Sequence, residues 1–350
     1  MNNNLCFVAG RSGGHIVPAL TLAQQHKKDN PDARIIFFST HTALDISLIQ
    51  NRSFIDKHLP LKLDNVPYAR IYRYPSFIWH FIYSIFVSVN ALRQIRPTQV
   101  ISMGGYISIP VCIAAKLLRI PITIYELNAI PGKAAKVTAY VAKTVAVCFE
   151  QAAHRLPANK CEIKPYPVRF TESDKTLTQA KALELIHFCN ERTTLFILGG
   201  SQGSVFINEL IKEIIEKHPE LHATLQIIHQ TGAYDKHNWH AFYTRYKIPA
   251  IIFAYHDQVE HYYAAADLII CRSGAGTLWE IAFFNKKAIT IPIVTKTTDH
   301  QVDNAQAIVA LHPQLFTMLM QDKMQNIEYV ATALSAITQS KQITASEKSM

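Results

Sequence analysis

The stretch from Leu268 to Glu280, LIICRSGAGTLWE, has the residue types and the spacing of a ligand-binding turn. Its apolar run breaks at Arg272 into Ser-Gly-Ala-Gly and resumes at Thr277 with helical spacing, which predicts a strand, a tight loop and a helix. Glycines let a backbone approach a ligand closely, and the free amides at a helix start attract anions such as phosphate. Glu280 lies one turn into that helix, where its carboxylate could accept two hydroxyl groups. A nucleotide sugar carries both a phosphate and such hydroxyls.

The same helix start also allows a purely structural interpretation. Thr277 and Glu280 have the spacing of a capping box, in which the two side chains close their own helix end. From this stretch alone the capping box is the default, because short motifs often match by chance. If the stretch does bind a ligand, the candidate contacts are Ser273, Gly274, Ala275, Gly276, Thr277 and Glu280.

Three further glycine-rich turns follow predicted strands: Gly10 to His15, Gly104-Gly105, and Gly199 to Gly203. None has the spacing of a dinucleotide-binding fingerprint or of a P-loop, so the motifs that usually indicate binding of a nicotinamide cofactor or ATP are absent. Ligands of doubly wound sheets bind at the carboxyl ends of strands, where all four turns are expected. The candidate ligand contacts in these three turns are Ser12, Gly13, Gly14, Gly104, Gly105, Ser201, Gln202 and Gly203.

His15 directly follows Gly14 at a predicted helix start. A helix N-terminus lowers the proton affinity of a histidine, so the ring stays neutral and can take a proton from a hydroxyl nucleophile. The alternative is a histidine that only hydrogen-bonds its own loop. Both interpretations remain open from the sequence.

Alternating strands and helices predict two α/β halves, each with a parallel sheet covered on both faces. The two prolines in the stretch 164–170, KPYPVRF, interrupt any regular element, so the domains are expected to be 1–164 and 165–350. The last ten residues, KQITASEKSM, are expected to be a frayed tail.

Composition narrows the class of protein further. The formal net charge of +9 calls for an anionic partner, but the Lys and Arg residues form no run, which argues against nucleic acid. Six cysteines without a C-x-x-C pair predict reduced thiols in a cytosolic protein. The N-terminus has no signal-peptide pattern. No His, Asp or Glu spacing predicts a dedicated metal site.

The segment from Pro75 to Arg96 is predicted to be a helix that is apolar on nearly every side. Its dense apolar part is shorter than the roughly 20 residues that a bilayer requires. With cations just upstream, the helix is expected to lie in a membrane interface, and the alternative is a helix buried between layers of its domain. The candidate membrane contacts are Arg70, Arg73, Phe77, Trp79, Phe81 and Ile82.

Taken in order, the motifs resemble those of the MurG family, the N-acetylglucosaminyltransferases of peptidoglycan synthesis. The motifs are AGRSGGHIVPAL, SMGGYIS, YELNAIPG, YPVR, LGGSQGS, CRSGAGTLWE and DHQVDNA, and they cover roughly Leu5 to Ala310. An ordered set is far more specific than one motif. The resemblance implies the GT-B fold, two Rossmann-like domains around a cleft, with UDP-N-acetylglucosamine as donor, lipid I as acceptor and no cofactor. It also implies a peripheral protein at the cytoplasmic face of the inner membrane.

The resemblance implies roles for single residues. In the donor half, Glu280 would bind the ribose hydroxyls, Ser201 the phosphates and Gln301 the sugar, while Arg169 would lie beside the nucleotide. The uracil would meet main-chain groups near His256. In the acceptor half, glycine loops would hold the pyrophosphate and His15 would be the base. The remaining substrate contacts that the resemblance implies are Glu126, Asn128 and Asn304, with Asn128 also a catalytic candidate.

The chain departs from the family pattern mainly in its first half. Arg11 stands where the family has a second glycine before Thr-Gly-Gly-His, and a long cation there could bind the pyrophosphate or obstruct it. Tyr125 and Leu127 replace the His and Gln of His-Glu-Gln-Asn, and Tyr166 replaces the Asn of Asn-Pro-Val-Arg. Donor chemistry is therefore the safer expectation. The rivals are a related glycosyltransferase with another lipid acceptor, such as a diacylglycerol, and a silent nucleotide-sugar-binding protein.

Overall fold

The computed structural model describes residues 3–63, 72, 74–200, 202–294 and 300–348, with the backbone alone for 342–348. Arg70, Arg73 and Ser201, which the sequence nominated for membrane and phosphate contacts, lie outside the described residues. The chain divides into two compact units, Met1–Arg169 and Phe170–Met350. The division falls inside the proline-containing stretch 164–170 where the sequence placed the domain boundary.

The first unit contains a seven-stranded parallel sheet in the order β3-β2-β1-β4-β5-β6-β7. Its strands are β1 (Leu5–Val8), β2 (Ile35–Thr40), β3 (Lys57–Leu61), β4 (Gln99–Ser102), β5 (Ile122–Glu126), β6 (Thr144–Val147) and β7 (Cys161–Ile163). Its helices are α1 (Gly13–Asp29), α2 (Ala43–Ile49), α3 (Tyr74–Ile95), α4 (Ser108–Leu117), α5 (Lys133–Ala139) and α6 (Glu150–Ala153).

The second unit contains a six-stranded parallel sheet in the order β10-β9-β8-β11-β12-β13. Its strands are β8 (Thr193–Leu198), β9 (Leu225–Gln230), β10 (Ala250–Phe253), β11 (Leu268–Cys271), β12 (Ala288–Thr290) and β13 (Phe316–Met318). Its helices are α7 (Glu172–Lys175), α8 (Gln179–Leu185), α9 (Val205–Lys217), α10 (Trp239–Arg245), α11 (Glu260–Ala265), α12 (Ala275–Phe283), α13 (His300–Leu311) and α14 (Lys323–Lys348).

The central strands β1 and β11 read as unbroken apolar runs, as expected of parallel strands that helices cover on both faces. In the first unit β1 is buried along its whole length, and in the second unit so are β8 and β11. Each unit has its own apolar core, built around β1 and α4 in one case and around β8 and α9 in the other. The expected fold class, two Rossmann-like parallel-sheet domains, is confirmed.

The end of the chain corrects one expectation. The sequence predicted a frayed tail after Ser340, whereas α14 continues as a helix to Lys348. The Lys341 ammonium explains part of this order, because it pairs with the Asp267 carboxylate at 2.6 Å and donates to the Arg192 carbonyl at 3.1 Å. Arg192 directly precedes β8 and Asp267 directly precedes β11, so these bonds hold the last helix against the sheet of its own unit.

Candidate functional site

The four glycine turns lie at the points where strand order reverses in the two sheets. In the first unit the reversal lies between β1 and β4, which are paired through Val8 and Ser102 at their carboxyl ends. In the second unit it lies between β8 and β11, paired there through Leu198 and Cys271. The turns follow these four strands directly. Such switch points are where doubly wound sheets bind ligands.

The first turn of the first unit is held by a buried carboxylate. Asp45 is fully buried on α2 and accepts the Arg11 amide at 3.0 Å from both of its oxygens. It also accepts the Thr40 amide at 3.0 Å and the Thr42 hydroxyl at 2.8 Å. A Cβ at Gly10 would lie only 2.8 Å from the same carboxylate. Gly10 is therefore the residue that lets the loop reach Asp45.

Arg11 adopts a left-handed backbone conformation, with φ of 68°. Non-glycine residues rarely adopt that conformation, and the two amide-to-Asp45 bonds stabilise it here. The Arg11 guanidinium donates to the Leu63 carbonyl at 3.2 Å. The long cation that departs from the family pattern thus bonds the segment after β3 in the first unit.

His15 lies beside the second glycine turn of its unit. Its amide donates to the Ser12 carbonyl at 3.1 Å in the first turn of α1, which begins after Ser12. A Cβ built on Gly105 would stand 4.0 Å from His15 Nδ1, so the two predicted loops meet at this ring. Added Cβ atoms at Gly13 and Gly104 would meet no atom within 4 Å. The two loops therefore leave open space at Gly13 and at Gly104.

Glu126 uses its carboxylate to shape its own loop. It is almost fully buried, and it accepts the Asn128 amide at 3.0 Å, the Asn128 side chain at 3.2 Å and the Gly132 amide at 3.0 Å. Burial raises the pKa of Glu126, and those hydrogen bonds act in the opposite direction. The Glu126 carboxylate therefore orients Asn128. Of these two predicted substrate contacts, Glu126 is buried and Asn128 is the more accessible to a ligand.

The phosphate-loop candidate of the second unit is packed backbone against backbone. A Cβ at Gly199 would come within 2.6 Å of the Ser204 amide, and one at Gly203 would overlap the Thr231 carbonyl. Gly203 also has a φ of 79°, a conformation that favours glycine. Ser204 caps α9 by accepting the Ile207 amide. Gln202 and Gly203, both predicted contacts, thus lie in a turn that leaves no room for added side chains at Gly199 or Gly203.

A buried relay of side chains supports this turn from the next strand. Asn208 on α9 donates to the Thr231 carbonyl at 3.0 Å and to the Asp235 carboxylate, so its amide oxygen must accept from His229 Nε2 at 3.1 Å. His229 Nδ1 then accepts the Tyr243 hydroxyl at 2.9 Å. Burial lowers the pKa of His229 to about 3, so the ring is neutral near pH 7.

The turn after β11 tests the capping-box interpretation of Thr277 and Glu280. The residue that precedes α12 is Gly274, and Thr277 lies inside the helix, so Thr277 caps nothing and the capping-box alternative is wrong. The Glu280 carboxylate instead accepts the Tyr263 hydroxyl of α11 at 2.8 Å. Ala275 and Gly276 form the first turn of α12.

The other predicted donor contacts differ in how they are held. Ser273 is buried, its hydroxyl bonds Thr290 at 2.7 Å, and its carbonyl accepts from the buried Asn304 at 3.4 Å, so these two side chains fix the loop backbone. Gln301 accepts the Ile293 amide at 3.0 Å. His256 is exposed after β10 and bonds Gln258 through Nδ1. Arg169 is the last residue of the first unit.

Arg272 is a site residue that the sequence reasoning passed over. Its buried guanidinium donates to the Ser204 hydroxyl at 2.8 Å and to the Ile291 carbonyl at 3.1 Å. It thereby ties the turn after β8 to the end of β12, and burial lowers its pKa to about 10. Its position directly after β11, inside the ligand-binding stretch, was the available signal. Asp45 and Tyr263 gave no such signal.

Helix α3 presents an apolar face outside the sheet core. Ser84, Ser88, Ala91 and Leu92 are buried where α3 packs on α4. Of the predicted membrane residues, Trp79 is 67% exposed and Ile82 is 56% exposed, while Phe77 and Phe81 are half-buried and stacked 6.2 Å apart. Ile78, Tyr83 and Phe86 complete the exposed face. The alternative of a helix buried between layers of its domain is therefore wrong.

By length and composition α3, with 22 residues, could cross a membrane, which corrects the expectation that its apolar part is too short. Within the part of the chain that the structure describes, no cluster of three or more His, Cys, Asp or Glu side chains could hold a metal ion.

Two parallel-sheet units, each with glycine turns at its switch point, are the domain pattern of the GT-B fold. Residues 5–147 match the N-terminal domain model of glycosyltransferase family 28, and residues 194–350 match its C-terminal domain model. Among solved structures, Acinetobacter baumannii MurG has the same fold, with a TM-score of 0.71, 22% identity and 98% of this chain and 95% of that one covered. The UDP-GlcNAc 2-epimerase of Neisseria meningitidis shares it at a TM-score of 0.62, with 15% identity and coverage of 98% and 94%.

Curated relatives specify the family. The chain is 30% identical to the UDP-N-acetylglucosamine--N-acetylmuramyl-(pentapeptide) pyrophosphoryl-undecaprenol N-acetylglucosamine transferase of Myxococcus xanthus, over 87% of this chain and 77% of the relative. It is 31% identical to the protein of that name in Protochlamydia amoebophila, over 88% and 81%. The chain belongs to this transferase family, the MurG family.

Proposed function

We propose that this chain transfers N-acetylglucosamine from UDP-N-acetylglucosamine to the N-acetylmuramyl-(pentapeptide) pyrophosphoryl-undecaprenol lipid, lipid I, and so makes lipid II for peptidoglycan. The observation that carries the proposal is the similarity to transferases of that name over most of the chain. The geometry of the second unit supports it, because a carboxylate and glycine-rich helix starts lie together at one switch point.

The second unit is proposed to bind the donor. Glu280 accepts the ribose hydroxyls, and the turn with Ser201, Gln202 and Gly203 receives the phosphates. The amides of that turn and of the start of α12 stabilise negative charge on the departing UDP. Main-chain groups near His256 meet the uracil, and Gln301 contacts the sugar. No step of this proposal requires a metal.

The first unit is proposed to bind the acceptor. The open space beside Gly13 and Gly104 receives the pyrophosphate, and Asn128 on its braced loop contacts substrate. His15 takes the proton from the acceptor hydroxyl as that oxygen attacks the anomeric carbon with inversion. Support for this role comes from the position of His15 between the two glycine turns of its unit.

A product assay tests the proposal and its rivals together. Radiolabelled UDP-N-acetylglucosamine is incubated with the purified chain and either lipid I or a diacylglycerol, and the lipid products are identified by mass spectrometry. We expect labelled lipid II and no labelled diacylglycerol. A labelled diacylglycerol would contradict the proposal and identify the chain as a glycosyltransferase with another lipid acceptor. Binding of UDP-N-acetylglucosamine without either product would identify a silent binding protein.

We also propose that the chain works as a peripheral protein on the anionic cytoplasmic face of the inner membrane. The acceptor carries a polyprenyl tail that stays in the bilayer, so the enzyme must come to the headgroups. The exposed face of α3 supports this, because a contiguous apolar patch seldom persists without a partner. The opposite face of α3 is packed on α4, which favours a helix lying in the interface over one that spans the bilayer.

Sedimentation with anionic vesicles at several salt concentrations tests this location. Replacing Trp79 and Ile82 by Ser should weaken binding at every salt concentration, because burial of apolar surface is insensitive to screening. Replacing Arg70 and Arg73 by Ser should remove about 1 kcal/mol per residue at low salt only. Leu185→Ser, at an exposed apolar position of the second unit, is the matched control. A parent protein that stays in the supernatant contradicts the proposal.

A further inference from the structure

We propose that Tyr263 is a positioning residue for the donor nucleotide. Its hydroxyl fixes the Glu280 carboxylate in the orientation that receives the ribose, and it makes helix α11 the element that joins base recognition to ribose recognition. The inference rests on the proposed function, in which Glu280 binds the ribose hydroxyls.

The bond between the two residues is short, and the tyrosine that donates it is immobilised. Tyr263 Oη donates to Glu280 Oε2 at 2.8 Å across a separation of 17 positions in the chain. The Tyr263 side chain is 1% exposed. Its ring stacks on Phe284 at 5.0 Å and meets the rings of Phe196 and Phe170 edge-on at 5.4 and 5.7 Å. Three aromatic neighbours prevent the ring from turning, so the hydroxyl has one position.

A glutamate at this place needs such a partner. Its side chain has several rotatable bonds, and holding them for a ligand costs conformational entropy at the moment of binding. A hydrogen bond present before binding meets part of that cost in advance. An ionised carboxylate offers about four acceptor positions, so the bond to Tyr263 leaves capacity for ribose hydroxyls. The tyrosine therefore orients the carboxylate without consuming its function.

Helix α11 connects this bond to the proposed uracil loop. The helix begins at Glu260, directly after the segment that contains His256 and Gln258. The residue before Tyr263 faces that loop, because the Tyr262 ring stacks on Phe253 at 5.2 Å and meets the His256 ring at 6.3 Å. Consecutive residues of one short helix thus contact the base loop and the ribose carboxylate. A shift of α11 would move both.

Calorimetric titration with UDP and its 2′-deoxy and 3′-deoxy analogues tests the inference. The proteins are the parent, Tyr263→Phe, Glu280→Ala and the double variant. Tyr263→Phe removes one oxygen and keeps the packed ring. We expect it to weaken UDP binding by about three- to tenfold. The parent should bind one of the two deoxy analogues more weakly than the other, and the ratio of UDP affinity to the affinity for that analogue should fall by a similar factor in Tyr263→Phe. In the Glu280→Ala background the tyrosine change should add nothing, as a double-mutant cycle requires of coupled residues.

The preference for the ribose hydroxyl separates positioning from general damage, because a fold defect weakens UDP and its analogues alike. Tyr246→Phe removes a hydroxyl from another tyrosine of the second unit and should match the parent. If Glu280→Ala loses the preference while Tyr263→Phe retains it, the positioning role is overturned and the donor site stands. If Glu280→Ala itself retains both affinity and preference, the proposed ribose contact fails, and the role of Tyr263 falls with it.

Discussion

The glycine turn after β1 and the glycine turn after β8 occupy equivalent places in two similar sheets, yet different forces hold them. The first is fastened by the buried charge of Asp45, which bonds the backbone at Arg11 and Thr40. The second is fastened by direct contact of backbones, with Gly203 against Thr231 and Gly199 against Ser204.

The difference explains where the chain can depart from the family pattern. In the first turn a side chain at position 11 points outward and reaches Leu63, so a long cation is accommodated. In the second turn an added Cβ at Gly199 or Gly203 meets backbone, which cannot give way. Room in the first turn therefore explains the departure at Arg11, while Tyr125, Leu127 and Tyr166 lie outside that turn.

The largest expected effect separates the two units by function. His15→Ala should reduce turnover by roughly 10²- to 10⁴-fold if His15 is the general base. UDP affinity should stay within about twofold of the parent, since the donor contacts proposed for the second unit are untouched. Steady-state kinetics with saturating donor, together with calorimetric titration of UDP, measure the two quantities. Turnover within about threefold of the parent would place the base elsewhere.

Crowding in the second turn gives the next effect. Gly203→Ala should lower the free energy of unfolding of the second unit by about 2–5 kcal/mol, from backbone strain and from overlap with Thr231. Gly104→Ala is the matched control, because Gly104 has a similar φ of 82° but no atom within 4 Å of an added Cβ. It should cost about 1 kcal/mol. Equal losses in denaturant melts would show that conformation, not contact, governs both turns.

The carboxylate in the first turn should contribute a smaller amount. Asp45→Asn replaces one acceptor oxygen by an NH2 donor, which opposes the Arg11 amide in either orientation of the side chain, and should cost about 1–3 kcal/mol of stability. Turnover should fall and UDP affinity should not change. Asp32→Asn, at an exposed aspartate of the same unit, should match the parent in urea melts. An unchanged melt for Asp45→Asn would mean that the loop does not depend on the charge.

The smallest effect, counted per pH unit, is a pH dependence of the stability of the second unit. Burial lowers the pKa of His229 from its ordinary 6.5 to about 3 in the folded unit. Between these two pH values the unfolded chain binds a proton at His229 and the folded unit does not. Stability should therefore fall as the pH drops from about 6.5 toward 3, by up to about 1.4 kcal/mol per pH unit. His229→Gln should flatten this slope in melts recorded across the range. An equally steep slope in that variant would assign the effect to other groups.

Sequence reasoning succeeded where a feature is local. Glycines after apolar runs located all four turns, and the apolar run that opens the stretch from Leu268 to Glu280 is strand β11, as predicted. Four short strands, β3, β6, β7 and β13, were missed because runs of three to five residues with mixed burial are too short to show a clear hydrophobic period.

Contacts between distant residues were out of reach. Asp45 bonds an amide 34 positions away, and Tyr263 bonds a carboxylate 17 positions away, so neither spacing forms a motif. The stretch from His229 to Gly232 did carry a local signal, a glycine two residues after the end of a strand. Thr277 shows the opposite failure. Its spacing from Glu280 suggested a cap, but α12 had already begun at Ala275.

The exposed face of α3 has a consequence for the purified protein in the absence of lipid. Trp79, Ile82 and Phe86 then face water. Contact with the same face of another copy, or with a detergent micelle, would remove this apolar surface from water and is therefore favourable. The apparent mass should accordingly rise with protein concentration and fall when detergent is added above its micellar threshold. Concentrating the protein without lipid or detergent would thus favour, by mass action, self-association that a bilayer makes unnecessary.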